Sequence, residues 1–155
     1  MIDIKVTIKD VKLKTLTKDI KHGTGKVRQA YKRWGQIFAK FLKDRYRRFS
    51  SGGGTWKRLK PATIRRKGHA LILRDTDTLL NAVGRQVKQL PRGVEVGIQD
   101  GPHPRGGTIR AIANAHQTGY AARRLPRRKI MVPPYATTIE EMTRVMAKAI
   151  EETVA

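Results

Sequence analysis

The chain holds 155 residues, with 34 Lys and Arg against 12 Asp and Glu, four His and no Cys, giving a net charge of +22. That length suits one domain with a real core, and the missing Cys excludes a disulfide scaffold, a Cys-ligated zinc or iron–sulfur centre and a thiol nucleophile. Apolar residues reach 39%, lean but above the disordered range, and no run of about 18 apolar residues is present to span a bilayer.

Met1 to Asp10 lacks the apolar core of a signal peptide, so the expected address is the cytosol or an assembly built there. Instead Ile2, Ile4, Val6 and Ile8 alternate with Asp3, Lys5, Thr7 and Lys9. Period two predicts a half-buried strand in an N-terminal region covering residues 1–20, with Val11, Leu13 and Leu16 extending or pairing with it. Between Lys26 and Phe49 the period changes to three and four: Val27, Ala30, Tyr31, Trp34, Ile37, Phe38, Phe41, Leu42, Tyr46 and Phe49. This predicts a long amphipathic helix over 26–49, weakened locally by Gly35. Its other face carries Lys26, Arg28, Lys32, Arg33, Lys40, Lys43, Arg47 and Arg48.

Ser50 to Gly54 is a flexible breaker, and residues 50–60 read as a glycine linker with an anchor. Pro61 suits the first turn of a short helix over Ala62–Lys67. Asp75 or Thr76 is placed to cap a second over Asp77–Val83. Val87–Leu90 and Val94–Ile98, divided by Pro91-Arg92-Gly93, read as a hairpin over 87–98. Asp100–Gly107 reads as an exposed, mobile loop. Thr108–Thr118 reads as a helix stopped by Gly119, and residues 120–134 as irregular and basic. A C-terminal helix over 138–154 shows an apolar stripe of Ile139, Met142, Val145, Met146, Ala149 and Ile150, with Glu140, Glu141, Glu151 and Glu152 around it. Mixed helices and antiparallel strands predict a single α+β domain, its long basic helix and C-terminal helix packed on a small antiparallel sheet.

Chemistry-bearing patterns are few. Gly23-Thr24-Gly25-Lys26 lacks the spacing and the final Ser/Thr of a phosphate loop. Asp75 and Asp77 have no third acid nearby, which favours capping over a metal site. His22, His69, His103 and His116 are too dispersed for a ligand set. No Ser/His/Asp set or carboxylate pair stands out, so the expectation is a non-enzyme with no catalytic, metal or cofactor residues.

The charge, by contrast, demands an anionic neighbour, because self-repulsion opposes the compact state. Nucleic acid, an anionic membrane face and acidic protein surfaces all qualify. The contact candidates are Arg65, Arg66 and Lys67 in one cluster and Arg123, Arg124, Arg127, Arg128 and Lys129 in another, since guanidiniums grip phosphates and carboxylates bidentately. Sparse aromatics disfavour a single-strand stacking platform, and no sequence-reading motif is present.

Several short motifs, in order, resemble the phage virion morphogenesis family of tail-completion and neck proteins. They are Phe49, the Gly52–Gly54 run, Trp56, Leu59, Thr63 and Lys67; Leu73 through Leu79; Ala113 through Gly119 with His116 and Gln117; and Leu125-Pro126-Arg127-Arg128-Lys129-Ile130. The likeness covers roughly residues 26–150. Asp77 stands where that family usually has Gly, and Ile112 where Tyr is common. The resemblance implies a structural subunit of the phage neck or tail end. Such subunits form a ring, six-fold by preference and twelve-fold otherwise, that completes the tail and joins it to the DNA-filled head. Implied partners are copies of the chain, head-closure or adaptor proteins and tail tube proteins, with non-specific DNA contact and no membrane. The implied location is the virion, and the host cytoplasm during assembly.

On this resemblance Trp56 and Leu59 anchor the segment after the glycines, and Thr63, Lys67, Leu79, Pro126 and Arg128 belong to the structural motif. His116, Gln117 and Gly119 form a tight helix exit, with backbone hydrogen bonds from His116 or Gln117 and a left-handed Gly119. The competing class is a sequence-independent nucleic-acid-binding protein acting through its basic clusters. A metal- or nucleotide-dependent enzyme is a weaker third.

Overall fold

A computed structural model of the chain describes residues 24–90 and 93–154. The strand expected within residues 1–20 and the Pro91-Arg92 turn lie outside the described residues. The elements are α1 (Thr24–Ser50), α2 (Pro61–Lys67), α3 (Thr78–Ala82), β1 (Val83–Leu90), β2 (Gly93–Ile98), α4 (Ile109–Thr118), a 3-10 turn (Ala121–Arg123) and α5 (Ala136–Val154). The architecture is α+β, as the patterning predicts.

Helix α1 is the spine, about 40 Å long at 1.5 Å per residue. Its wide apolar face serves two clusters. Ala30, Tyr31 and Trp34 meet Met142, Met146 and Ala149 of α5. Further along, Phe38, Leu42, Tyr46 and Phe49 meet Trp56, Ile72, Leu79, Val83, Val96, Ile109, Ala113 and Ile130. The two long helices run antiparallel. Lys26 Nζ reaches the Glu152 carbonyl at 2.7 Å at one end, Trp34 Nε1 donates to the Met142 carbonyl in the middle, and Arg45 Nε donates to the Tyr135 hydroxyl at 3.1 Å at the other.

The hairpin lies across α1, and Gly35 is the reason it can. A Cβ there would stand 2.6 Å from Val87 Cγ1 and 2.8 Å from Val94 Cγ2. The residue that weakens the helix by propensity is the one that admits the sheet. One turn on, Ala39 faces Gly84, whose φ of 67° and 3.0 Å clearance make a second close approach. The first strand starts at Val83, earlier than the alternation from Val87 suggests, because a register irregularity between Val83 and Gln86 breaks the period. That also shortens the helix expected over Asp77–Val83.

The short elements follow their local chemistry. Pro61 opens α2, and Gly68 closes it at φ 78° with its N–H on the Ile64 carbonyl. Thr108 caps α4 by accepting from Ala111 N–H at 3.1 Å. The Asp100–Gly107 loop, expected to be mobile, is braced. Asp100 accepts from the N–H groups of Gly101 and Arg110, which holds its carboxyl below the usual range. His103 and Gly107 bond across the loop at 3.0 Å, and Arg105 pairs with Asp75 at 2.7 Å.

Candidate partner and polyanion interface

The irregular segment after α4 is gripped by its main chain. The Lys129 carbonyl accepts from Arg45 Nη1 at 2.8 Å and from Trp56 Nε1 at 3.3 Å. Gln117 Oε1 accepts from the N–H groups of Ile130 and Met131 at 2.7 and 3.0 Å, and its Nε2 donates to the Met131 carbonyl at 2.8 Å. Gln117 therefore acts as one more strand residue for a chain that has no strand beside it. Gly119 sits at φ 80° and ψ 163°, an extended mirror conformation open to Gly and distinct from the left-handed helical one expected. A Cβ there would meet Arg127 N and Leu125 O at 3.3 Å.

Trp56, His116, Gln117, Arg128 and Ile130, which the resemblance ties together, thus meet around one hub. Trp56 is buried with its ring edge-on to Tyr46 and Phe49. Leu59 packs on the same cluster, in which Leu79 is buried. Thr63 lies half-buried in the first turn of α2 and Pro126 half-buried before the hub. His116 contributes its carbonyl, which accepts from Arg128 N–H at 2.7 Å. Its ring Nδ1 is buried without a partner, and burial, aided by Arg128, pushes its pKa down to about 4. Of the two side chains expected to bond backbone, Gln117 does and His116 does not.

The basic candidates divide. Arg65 and Arg66 are exposed on the last turn of α2. Lys67 is half-buried, with Nζ on the Leu71 carbonyl at 2.8 Å; burial lowers its pKa. Arg123 and Arg124 are exposed on a turn closed by the Tyr120–Leu125 bridge, and Arg123 lies 6.0 Å from the Tyr120 ring centroid. Arg127 and Lys129 are also exposed.

Arg128 corrects the expectation of a surface contact. It is 5% exposed and donates from Nη2 to the Lys57 carbonyl at 3.1 Å, with Nε unpartnered. From Arg127 to Ile130 exposure alternates out, in, out, in. Arg128 thus shares the inward phase of Ile130, a signal the sequence already carries.

The side chains of Asp75 and Asp77 do not cap α3, although Asp77 holds its N-cap position. Asp75 holds Arg105, and Asp77 takes a two-point grip from Arg74 at 2.8 and 2.7 Å. That hydrogen bonding keeps the Asp77 carboxyl below its usual range. Asp77 adopts φ 54°, a left-handed conformation. The position where the resembled family has Gly thus carries a Gly-like backbone here, filled by one of the residues that tolerates it best. No cluster of three metal-ligating side chains occurs among the described residues.

The sequence reading missed Arg45. It is buried, bonded to Lys129 and Tyr135, and stacked 4.1 Å from the Phe49 ring centroid. Its place three residues after Leu42 and four before Phe49 puts it on the apolar stripe, which is the clue to its burial. Missed too was the charge segregation. Residues 45–74 contain ten Lys and Arg and no acid, and residues 101–139 contain seven and no acid. The hub brings these two stretches together. No family model matches the chain, and neither a curated protein nor a solved structure matches it.

Proposed function

We propose that the chain is a structural virion subunit of the phage neck or tail end, forming a ring that completes the tail and joins it to the DNA-filled head. One observation carries the reading. Three of the four motifs that resemble the morphogenesis family, separate in sequence, converge through Trp56, Gln117 and Arg128 on a single packed segment. Motifs that cohere in space are better evidence of a shared fold plan than the same motifs in a row. Such a ring has heterologous contacts, one patch meeting a different patch on the next copy until rotation closes the circle. No catalytic or cofactor chemistry enters this role.

Light scattering on the purified chain at low and high salt tests the ring. A defined multimer near six or twelve subunits is the expected result, and a monomer across all concentrations overturns it. The joining role has its own test. An Arg123→Glu/Arg124→Glu/Arg127→Glu variant keeps the fold, since all three side chains are exposed. It is expected to fail in joining heads to tails in an assembly reaction, and normal joining removes these residues from the contact. Arg128 is left out of the variant because a reversed charge at a buried site disrupts folding by itself.

A further inference from the structure

We infer that the outer edge of β2 is a strand-acceptor site, and that its occupant is residues 2–9 of the same chain. The inference does not rest on the ring.

Among the described residues the sheet consists of β1 and β2 alone, so each strand has an outer edge without a partner strand. Such an edge is a template for pairing, and a two-stranded sheet is marginal by itself. The sequence holds one further segment with strand alternation. Ile2, Ile4, Val6 and Ile8 fall in one phase, and Asp3, Lys5, Thr7 and Lys9 in the other.

The place where α1 begins sets the reach and the direction. Gln89 Nε2 donates to the Arg28 carbonyl at 2.8 Å, so the turn of the hairpin lies about one helical turn from Thr24, the start of α1. At the far end of the hairpin, Gly84 closes on Ala39. β1 therefore runs against α1, and β2 runs along it. A strand that turns directly into α1 also runs against the helix, hence parallel to β1 and antiparallel to β2. Antiparallel pairing is the more stable of the two. Residues 10–23 reach up to about 45 Å when extended, well over the length of six-residue β2, about 20 Å.

Packing and charge choose the same edge. Val94 packs on both core clusters, which places β2 on the α5 side of the hairpin. With Val27 of α1 and Ile150 of α5 it is left half-buried, an apolar rim that a row of isoleucines covers. On the opposite flank of α1, beyond Gly35, stand exposed Lys32 and Gln36. The one acid of the hairpin, Glu95, sits on β2, whereas β1 carries Arg85 and Lys88. Residues 2–9, with two lysines against one aspartate, suit the first edge.

The chain has no Cys, so paired cysteines read the contact directly. Asp3→Cys, Lys5→Cys and Thr7→Cys are each combined with Glu95→Cys, and in a second set with Lys88→Cys. Lys88 lies opposite Glu95 across the hairpin, so the two sets differ only in the edge they probe. Both sets are oxidised at several protein concentrations, in native buffer and in urea, and resolved on non-reducing gels, after the reduced variants are shown to melt like the wild type. In native buffer at least one Glu95→Cys pair is expected to close within the monomer, at a rate independent of concentration. That rate is expected to be about tenfold or more above the matching Lys88→Cys pair, because Cα atoms beyond about 7 Å are not bridged without backbone movement. In urea the two sets are expected to oxidise alike. Faster closure onto Lys88→Cys puts the segment on the other edge and overturns the inference. Dimers formed at a concentration-dependent rate make the occupant the arm of a second copy and overturn it too, as do equal native rates in the two sets.

Discussion

Arg128 donates to the carbonyl of Lys57 across seventy-one residues of chain, at 3.1 Å, and no carboxylate lies within ion-pair distance of it among the described residues. A buried cation without a counter-charge is costly to desolvate, and an apolar residue of similar volume often serves stability as well or better. Burial accordingly lowers the Arg128 pKa. Arg128→Met is expected to leave stability unchanged or to raise it by about 1–2 kcal/mol. Arg45→Met is expected to lose about 2–3 kcal/mol, because it removes two hydrogen bonds and a ring contact with Phe49. Urea midpoints at constant slope check the contrast, and equal losses would contradict it.

Gln117 offers a sharper test of the hub. Replacement by Leu strands the N–H groups of Ile130 and Met131 and the Met131 carbonyl, at a cost of about 3–5 kcal/mol. Gln117→Glu keeps both accepted bonds but turns a carboxylate oxygen toward the Met131 carbonyl, so its loss is expected to be large at neutral pH and smaller at low pH, where a protonated carboxyl can donate again. Thermal unfolding of the two variants side by side gives the answer.

His116 makes stability depend on pH. Its folded pKa of about 4 lies below the ordinary value of 6.5, so between these values the unfolded chain binds the extra proton. The contribution of the neutral ring is therefore complete above pH 6.5, declines as pH falls through that window, and levels off once lost below about 4. The contribution at stake is about 3 kcal/mol. Urea unfolding from pH 7 to pH 4 is expected to show this fall, and His116→Gln to flatten it. A parallel decline in the variant would assign the effect elsewhere.

Gly35→Ala reverses an intrinsic preference. In an open helix, Ala gains about 1 kcal/mol over Gly. Here the added methyl meets two stiff β-branched side chains at less than 3 Å, and overpacking costs about 1–3 kcal/mol. Net destabilisation is expected, recovered in part by Gly35→Ala/Val87→Ala relative to Val87→Ala alone. A double-mutant cycle on unfolding free energy measures the coupling, and zero coupling would mean the hairpin does not press on Gly35.

The long helices were legible because their stripes are long. α1 and α5 begin within two residues of the Lys26 and Thr138 read from periodicity, and α2 and α4 follow from Pro61 and from the Thr108–Thr118 run stopped by Gly119. Contacts that depend on a distant partner were not legible. Gly35 reads only as a weakness until a strand crosses it. Asp75 looks like a cap until Arg105, thirty residues on, takes its carboxylate. Among the basic run of 127–129, composition makes the three residues equivalent, and only the phase set by buried Ile130 separates Arg128 from its neighbours. The charge was obvious as a total, but the meeting of its two acid-free stretches required the hub, which joins segments far apart in sequence.

The carbonyl of Lys129, with two donors upon it, separates what holds the chain from what the chain displays. Arg45 and Trp56 recognise a peptide oxygen that every amino acid possesses. The outward side chain at 129 is thereby left out of the structural contract, while Arg127 keeps one bond in it, from Nε to the Gln117 carbonyl at 3.2 Å. Charge, length and shape at 129 can be rewritten while the segment stays docked. This end of the molecule is accordingly a mounting for interchangeable side chains, open to retuning toward a new partner without refolding the body that carries it.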